Sequence, residues 1–201
     1  MPKALDDFPH LPLAHLPTPL SEMHRLREAL RARGVRHVPR LFIKRDDCTG
    51  LATGGNKTRK LEYLIGEALA QGCDTVVTTG ALQSNHARQT AAAASAAGLS
   101  CLLVLFDTVP YRGALYRRSG NLLLDRVLGA EVRIESADAD AAEVFSKLFQ
   151  ELEAKGNKPY FVPVGGSSAT GSLGYVNAYL EISGQLDALG LSRTALVHAS
   201  S

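Results

Sequence analysis

Cysteine is scarce in this chain. Its 201 residues hold only Cys48, Cys73 and Cys101, an odd number, far apart and with no CxxC pair. That argues against a disulfide framework and against a zinc site, so no metal is expected and the thiols read as buried or idle. Long apolar runs are also missing: no segment approaches the roughly 20 apolar residues of a membrane span. Met1 to His10 has no basic stretch followed by an apolar one, so no membrane partner is expected and the cytoplasm is the expected location. Nor is there an excess of one charge. Lys and Arg number 22 against 20 Asp and Glu, and the basic residues are scattered, which leaves no electrostatic footprint for nucleic acid. A small molecule is the expected partner. Internal repeats and low-complexity linkers are absent, and the Ala91 to Ala97 stretch is simply a good helix former.

What is present is the balance of a globular protein, 45% hydrophobic and 21% charged, enough for one domain or two small ones. A Pro-rich opening reads as extended chain on the surface. A helix over Ser21–Arg33, closed by Gly34, and a short strand at Leu41–Lys44 follow. From Asn56 a helix is strongly patterned, with Leu61, Leu64, Ile65, Ala68 and Leu69 on one face and Gly72 as its stop. Strand and helix then alternate. Strands are expected at Thr75–Thr79, Cys101–Phe106, Glu131–Ile134, Tyr160–Val164 and Thr194–His198. Helices are expected at Ala87–Ala97, Ser119–Leu128, Asp138–Lys155 and Tyr175–Leu186. That alternation predicts a parallel α/β architecture.

Three loops stand out. Thr53-Gly54-Gly55-Asn56-Lys57-Thr58-Arg59-Lys60 runs into a helix whose first turn carries three cations. This is the wrong sign for a helix N-terminus, at about 0.3–1 kcal/mol per misplaced charge, and a bound anion such as a phosphate would resolve it. The plain alternative is a solvated basic helix start. Gly80-Ala81-Leu82-Gln83-Ser84-Asn85-His86 sets four polar side chains in a row after a buried parallel strand, more than a helix cap requires. The alternative there is a capping Ser84 or Asn85 with a solvated His86. No GxGxxG follows that strand, which weakens a dinucleotide reading. Val164-Gly165-Gly166-Ser167-Ser168-Ala169-Thr170-Gly171 is a third strand-to-helix junction, able to wrap a ligand or merely to turn the chain.

Taken together, Leu41–Ala92, Gly120–Arg133 and Pro159–Ile182 resemble the D-cysteine desulfhydrase and 1-aminocyclopropane-1-carboxylate (ACC) deaminase family of fold-type-II pyridoxal-phosphate (PLP) enzymes, the group that includes the tryptophan synthase β chain. The resemblance runs from about Phe8 to Ser201. The Gly54–Glu62 motif combined with Gln83-Ser84-Asn85 is its most specific part. It implies PLP as cofactor, Lys57 as the lysine that holds it as a Schiff base, Lys60 as a phosphate contact and Asn56 as a cofactor neighbour. Asn85 would lie beside the ring and its 3′ oxygen. Ser84 would be catalytic or meet the substrate carboxylate, and Gln83 and His86 would sit near the substrate. His86 and the Val164–Gly171 loop lean toward desulfhydrase rather than ACC deaminase.

By the same resemblance, residues 1–60 are the first part of a large PLP-binding domain and 61–168 a complete small α/β domain. Residues 169–201 return into the large domain, which is expected to be truncated before its phosphate loop. A homodimer is implied at full length. The expected reaction is α,β-elimination of D-cysteine to pyruvate, hydrogen sulfide and ammonia, with ACC or other D-amino-acid and cysteate substrates as alternatives. Two further readings stay open: an inactive fragment or subunit-binding module, and an unrelated α/β protein that binds a nucleotide or sugar phosphate at Gly54-Gly55.

Overall fold

The structure is a computed structural model that describes residues 4–110, 113–191 and 194–198. Four parallel strands form the central sheet in the order β5-β4-β3-β6, with β3 at Thr75–Ala81, β4 at Ser100–Asp107, β5 at Glu131–Ser136 and β6 at Pro159–Val162. The two-residue period of a strand divides their side chains between two cores. Val76, Leu103 and Leu105 meet Leu61, Leu64 and Ile65 of α2 (Lys57–Ala70), the alanines of α3 (Asn85–Ala96) and Leu122 of α4 (Gly120–Val127). Val77, Leu102 and Val104 meet Leu148 and Leu152 of α5 (Ala141–Ala154) on the opposite face. There Phe161 lies edge-on to Phe145 and Phe149, with centroids 5.3 and 6.1 Å away.

This topology fixes where a ligand belongs. From β3 the chain crosses to β4 on one side, whereas β6 returns on the other, so the winding reverses between β3 and β6. Ligands of open α/β sheets gather beyond the carboxyl ends of strands at such a reversal. The register sets Thr78 opposite Val162, so the Gln83–His86 and Val164–Ser168 loops leave adjacent strands on the same side.

The last helix, α6 (Ala169–Ala188), crosses the first turn of α2. A Cβ on Gly174 would stand 2.1 Å from the Arg59 carbonyl oxygen, so the crossing requires a residue without a side chain. Behind it, Arg59 is 1% exposed. Its guanidinium donates to Asp46 at 2.9 Å, to Glu181 at 3.0 Å and to the Thr18 hydroxyl at 2.9 Å, while Lys44 pairs with the same Glu181.

Several expectations need correction. Ser21 does not start a helix: β1 (Leu20–Glu22) pairs antiparallel with β2 (Phe42–Lys44), and α1 begins only at His24 and ends at Ala32. The smaller sheet is thus antiparallel, not parallel. Leu69 leaves the core stripe and is exposed. The α6 helix starts at Ala169 instead of Tyr175 because the Ser168 hydroxyl caps it, accepting from the Gly171 N–H at 3.1 Å. Thr194–His198 forms no strand, and Val197 is 92% exposed. Its apolar pattern suits a buried strand, but a strand exists only against a neighbour, and the sheet of the described residues ends at β5 and β6. Ser200 and Ser201 lie outside the described residues. No helix among the described residues is long and apolar enough to cross a membrane.

One core residue sets a pH dependence. Asp125 is fully buried on α4, and among the described residues neither carboxylate oxygen has a hydrogen-bond partner. Burial pushes its carboxyl up to about 7 against the pull of Arg88 and Arg126. The folded state therefore holds a proton that the unfolded chain releases above about pH 4, so this contribution to stability is present at low pH and is lost as pH rises to about 7. We expect the stability of Asp125→Asn relative to wild type to rise by roughly 2–4 kcal/mol between pH 4 and pH 8. Urea melts across that range would refute the assignment if the two proteins ran parallel.

Candidate active site

Lys57 follows a contorted approach. Ala52 and Thr53 adopt φ of 41° and 71°, a left-handed region that disfavours β-branched residues and costs on the order of 1–3 kcal/mol at each. The turn is held from below. Thr49 Oγ1 accepts from the Gly55 N–H and donates to the Gly55 carbonyl, both at 2.9 Å. Buried Gln89 accepts from the Thr58 N–H at 3.1 Å and from its hydroxyl at 3.0 Å. Buried Arg88 donates to the carbonyls of Ala52 and Gly54, the latter at 2.9 Å.

The three cations of this turn do not act alike. Arg59 points back into the ion-pair cluster, and only Lys57 and Lys60 remain toward the loops. Lys60 donates to Ser167 Oγ at 3.3 Å and lies 5.8 Å from the Tyr175 ring centroid, within cation–π range. Burial, and then the charge of Lys57, lower the Lys60 pKa. Among the described residues neither lysine has a carboxylate within ion-pair distance. Two uncompensated ammonium groups one helical turn apart, at a helix N-terminus, form a receptor for an anion. Gly165 is the wall opposite: a Cβ there would lie 3.7 Å from Lys57 Cε and 3.6 Å from Ser167 Oγ. Asn56 Nδ2 donates to the Tyr175 hydroxyl at 2.9 Å, which ties the motif to α6.

Across the reversal, Ser84 caps α3 by accepting from the Ala87 N–H at 3.2 Å, and among the described residues its own proton has no acceptor. Asn85 is exposed, and its Oδ1 accepts from Asn121 Nδ2 at 2.8 Å. The Gln83 amide is engaged with backbone: Nε2 donates to Tyr116 and Ser119 carbonyls, and Oε1 accepts from the Asn121 N–H. His86 is buried, not solvated. Its Nε2 lies 2.9 Å from Thr78 Oγ1, whose single proton goes to the Val162 carbonyl at 2.7 Å. Nε2 must then carry the hydrogen, which leaves Nδ1 as a buried acceptor with no hydrogen-bond partner among the described residues. Burial, then Lys57 and Lys60, hold His86 down to about 4, against a smaller opposing pull from the Pro163 carbonyl. The ring is neutral at neutral pH.

Sequence reasoning missed Arg88, Gln89, Asn121 and Tyr175. A signal existed for the first two, polar residues interrupting an otherwise Ala-rich helix. None existed for Asn121 and Tyr175, which the fold brings in from 36 and 119 residues away.

A helix-flanked parallel sheet with its lysine-bearing turn at the winding reversal defines a fold-type-II PLP enzyme architecture. Residues 11–201 match the model of the pyridoxal-phosphate dependent enzymes, and the chain belongs to that family. It is 45% identical to D-cysteine desulfhydrase from Klebsiella pneumoniae subsp. pneumoniae over 98% of this chain and 58% of that protein. It is 44% identical to D-cysteine desulfhydrase from Serratia proteamaculans over 98% of this chain and 57% of that protein. Among solved structures, an ACC deaminase homologue superimposes with a TM-score of 0.74 at 40% identity, over 90% of this chain and 52% of that one. Escherichia coli diaminopropionate ammonia lyase in apo form shares the fold at a TM-score of 0.63 and 18% identity, over 89% of this chain and 50% of that one. The chain spans little more than half the length of the curated relatives it matches. The family match sets aside the reading of an unrelated phosphate-binding α/β protein. The donor set fits the cofactor: paired lysines and the Ser167 hydroxyl for an anion, and the bare Gly165 wall beside Lys57 for a flat ring.

Proposed function

We propose that this chain carries the lysine-bearing part of the PLP site of a D-cysteine desulfhydrase-type lyase, which converts D-cysteine and water to pyruvate, hydrogen sulfide and ammonia. The observation that carries the reading is the pair Lys57 and Lys60, uncompensated at the winding reversal and facing Gly165. The 42–45% identity to desulfhydrases favours the thiol substrate. Bound PLP supplies an electron sink for negative charge at the substrate Cα. Lys57 is the residue that would hold it and the base that takes the Cα proton. Lys60 would meet its phosphate, with Asn56 holding Tyr175 at the rim. Asn85, its oxygen occupied by Asn121, presents its NH2 as a donor to the cofactor.

On the substrate side, the free Ser84 proton suits a carboxylate. His86, neutral and buried against Thr78, and Gln83, committed to backbone, would brace the wall behind the substrate. In this reading residues 1–60 and 169–201 belong to a larger cofactor domain and 61–168 to a smaller one, in a homodimeric enzyme of the cytoplasm. ACC ring opening is the second reading, favoured by the 40%-identical ACC deaminase homologue. The test is a parallel assay of the protein expressed from its full reading frame. Sulfide released from D-cysteine at least tenfold faster than 2-oxobutanoate forms from ACC is expected, and the reverse ratio overturns the assignment.

A further inference from the structure

We propose that Arg88 is a positioning residue for the lysine-bearing turn: its guanidinium holds Lys57 in place and, through Asn121, fixes which end of the Asn85 amide faces the site. The inference rests on the proposed role of Lys57.

Arg88 is 5% exposed, yet among the described residues no carboxylate lies within ion-pair distance of it. Burial lowers its pKa, and the buried Asp125 carboxyl, which makes no ion pair with it, offsets only part of that. The atoms its guanidinium donates to are three neutral oxygens. Two are the carbonyls of Ala52 and Gly54, which flank Thr53. Left-handed residues of this kind persist only where their surroundings over-determine them, and the guanidinium fork, with its fixed donor geometry, spans the strained segment. Only Gly55 and Asn56 lie between Gly54 and Lys57, so a shift of the turn is passed directly to the lysine.

The third oxygen sets a polarity. Arginine can only donate, so the Asn121 oxygen accepts from Arg88 Nε, at 3.3 Å. The Asn121 nitrogen is thereby turned to donate to the Gln83 carbonyl at 2.9 Å and to Asn85 Oδ1 at 2.8 Å. Asn85 must then present its NH2 outward. One buried cation thus aligns both sides of the reversal, the lysine from α2 and the amide from α3.

The test uses Arg88→Lys, Arg88→Ala and Asn121→Asp in the full-length protein. Without cofactor, Arg88→Lys should speed amide hydrogen exchange at Gly54–Lys57 at least tenfold and leave β3 and β4 protected, a readout independent of whether Lys57 ever holds PLP. With cofactor, kcat should fall about 10²-fold, the effect of a roughly 1 Å misplacement, with little change in KM. Guanidinium ion should partly restore Arg88→Ala. Asn121→Asp, which can only accept, should turn the Asn85 amide around and shift the pH dependence of the cofactor's visible band. If Arg88→Ala fails to fold, the other two variants decide. Wild-type exchange at 54–57, with wild-type kcat and only a lower melting temperature, would overturn the proposal. A wild-type protein that never takes up PLP, but whose exchange responds as stated, would overturn the reading of Lys57 and leave the clamp in place.

Discussion

Lys57→Ala is expected to lose at least about 10³–10⁴-fold in turnover, because in the proposed reading one substitution removes both the cofactor's attachment point and the base at Cα. Fold stability should not fall with it. Lys57 is the first residue of α2, where a cation opposes the helix dipole, so its loss is worth about 0.3–1 kcal/mol in the stabilising direction. Lys57→Arg should be just as inactive, since a guanidinium does not release its proton in the working range. A small primary amine added to Lys57→Ala should restore part of the rate, whereas added guanidinium should not. Borohydride treatment of wild type with PLP, followed by peptide mapping, should place the label on Lys57. A label on Lys60, or a Lys57→Ala protein with more than a tenth of wild-type turnover, would move the chemistry elsewhere.

The sequence announced this lysine through local features: two glycines, a helix start of the wrong charge, and an apolar stripe over Leu61, Leu64 and Ile65 that put the helix against a sheet. Features encoded within a few residues of one another were legible, among them the strands β3 and β4 and the run Gln83–His86. What could not be read were assignments made by distant partners. Arg59 counted as one of three cations in the turn, and nothing local set it apart, yet its acceptors stand 13 and 122 residues away. Gln83 and His86 looked equally available to a substrate. The first is engaged with the Tyr116 and Ser119 carbonyls, and the second is buried against Thr78 of β3. The Thr194–His198 pattern failed for the same reason, since alternation records how a strand would be buried but not whether a neighbour is there to bury it.

Arg59 yields the second large effect. Arg59→Ala should destabilise the fold by about 3–5 kcal/mol, the range for removing one partner from a buried ion-pair cluster. Burial works against the Arg59 charge, but its hydrogen bonds to Asp46 and Glu181 outweigh it and keep the guanidinium above its usual pKa. For Glu181, burial pushes upward, and Arg59 with Lys44 pulls it below the ordinary carboxylate range. The sign of the pH dependence follows: a carboxylate depressed in the folded state contributes stability above its unfolded pKa that is lost as pH falls below about 4. Wild type should therefore lose part of the cluster's contribution on acidification, and the penalty of Arg59→Ala should shrink there, because Glu181, left with Lys44 alone, loses its charge. Arg59→Met fills the space without the charge and leaves Asp46 and Glu181 without the guanidinium, so it should recover little at neutral pH. Combined with Glu181→Gln, which removes one of those acids, it should recover more than the two single effects add to. Because Arg59 joins α2, α6 and the Asp46 turn, its loss should also loosen the Lys57–Gly165 approach, so that cofactor affinity falls along with stability. Chemical melts at pH 7 and pH 4 measure the first effect and PLP titration the second. A loss below about 1 kcal/mol, the value of an exposed pair, would show that the cluster is solvated and that α6 is held by packing at Gly174 alone.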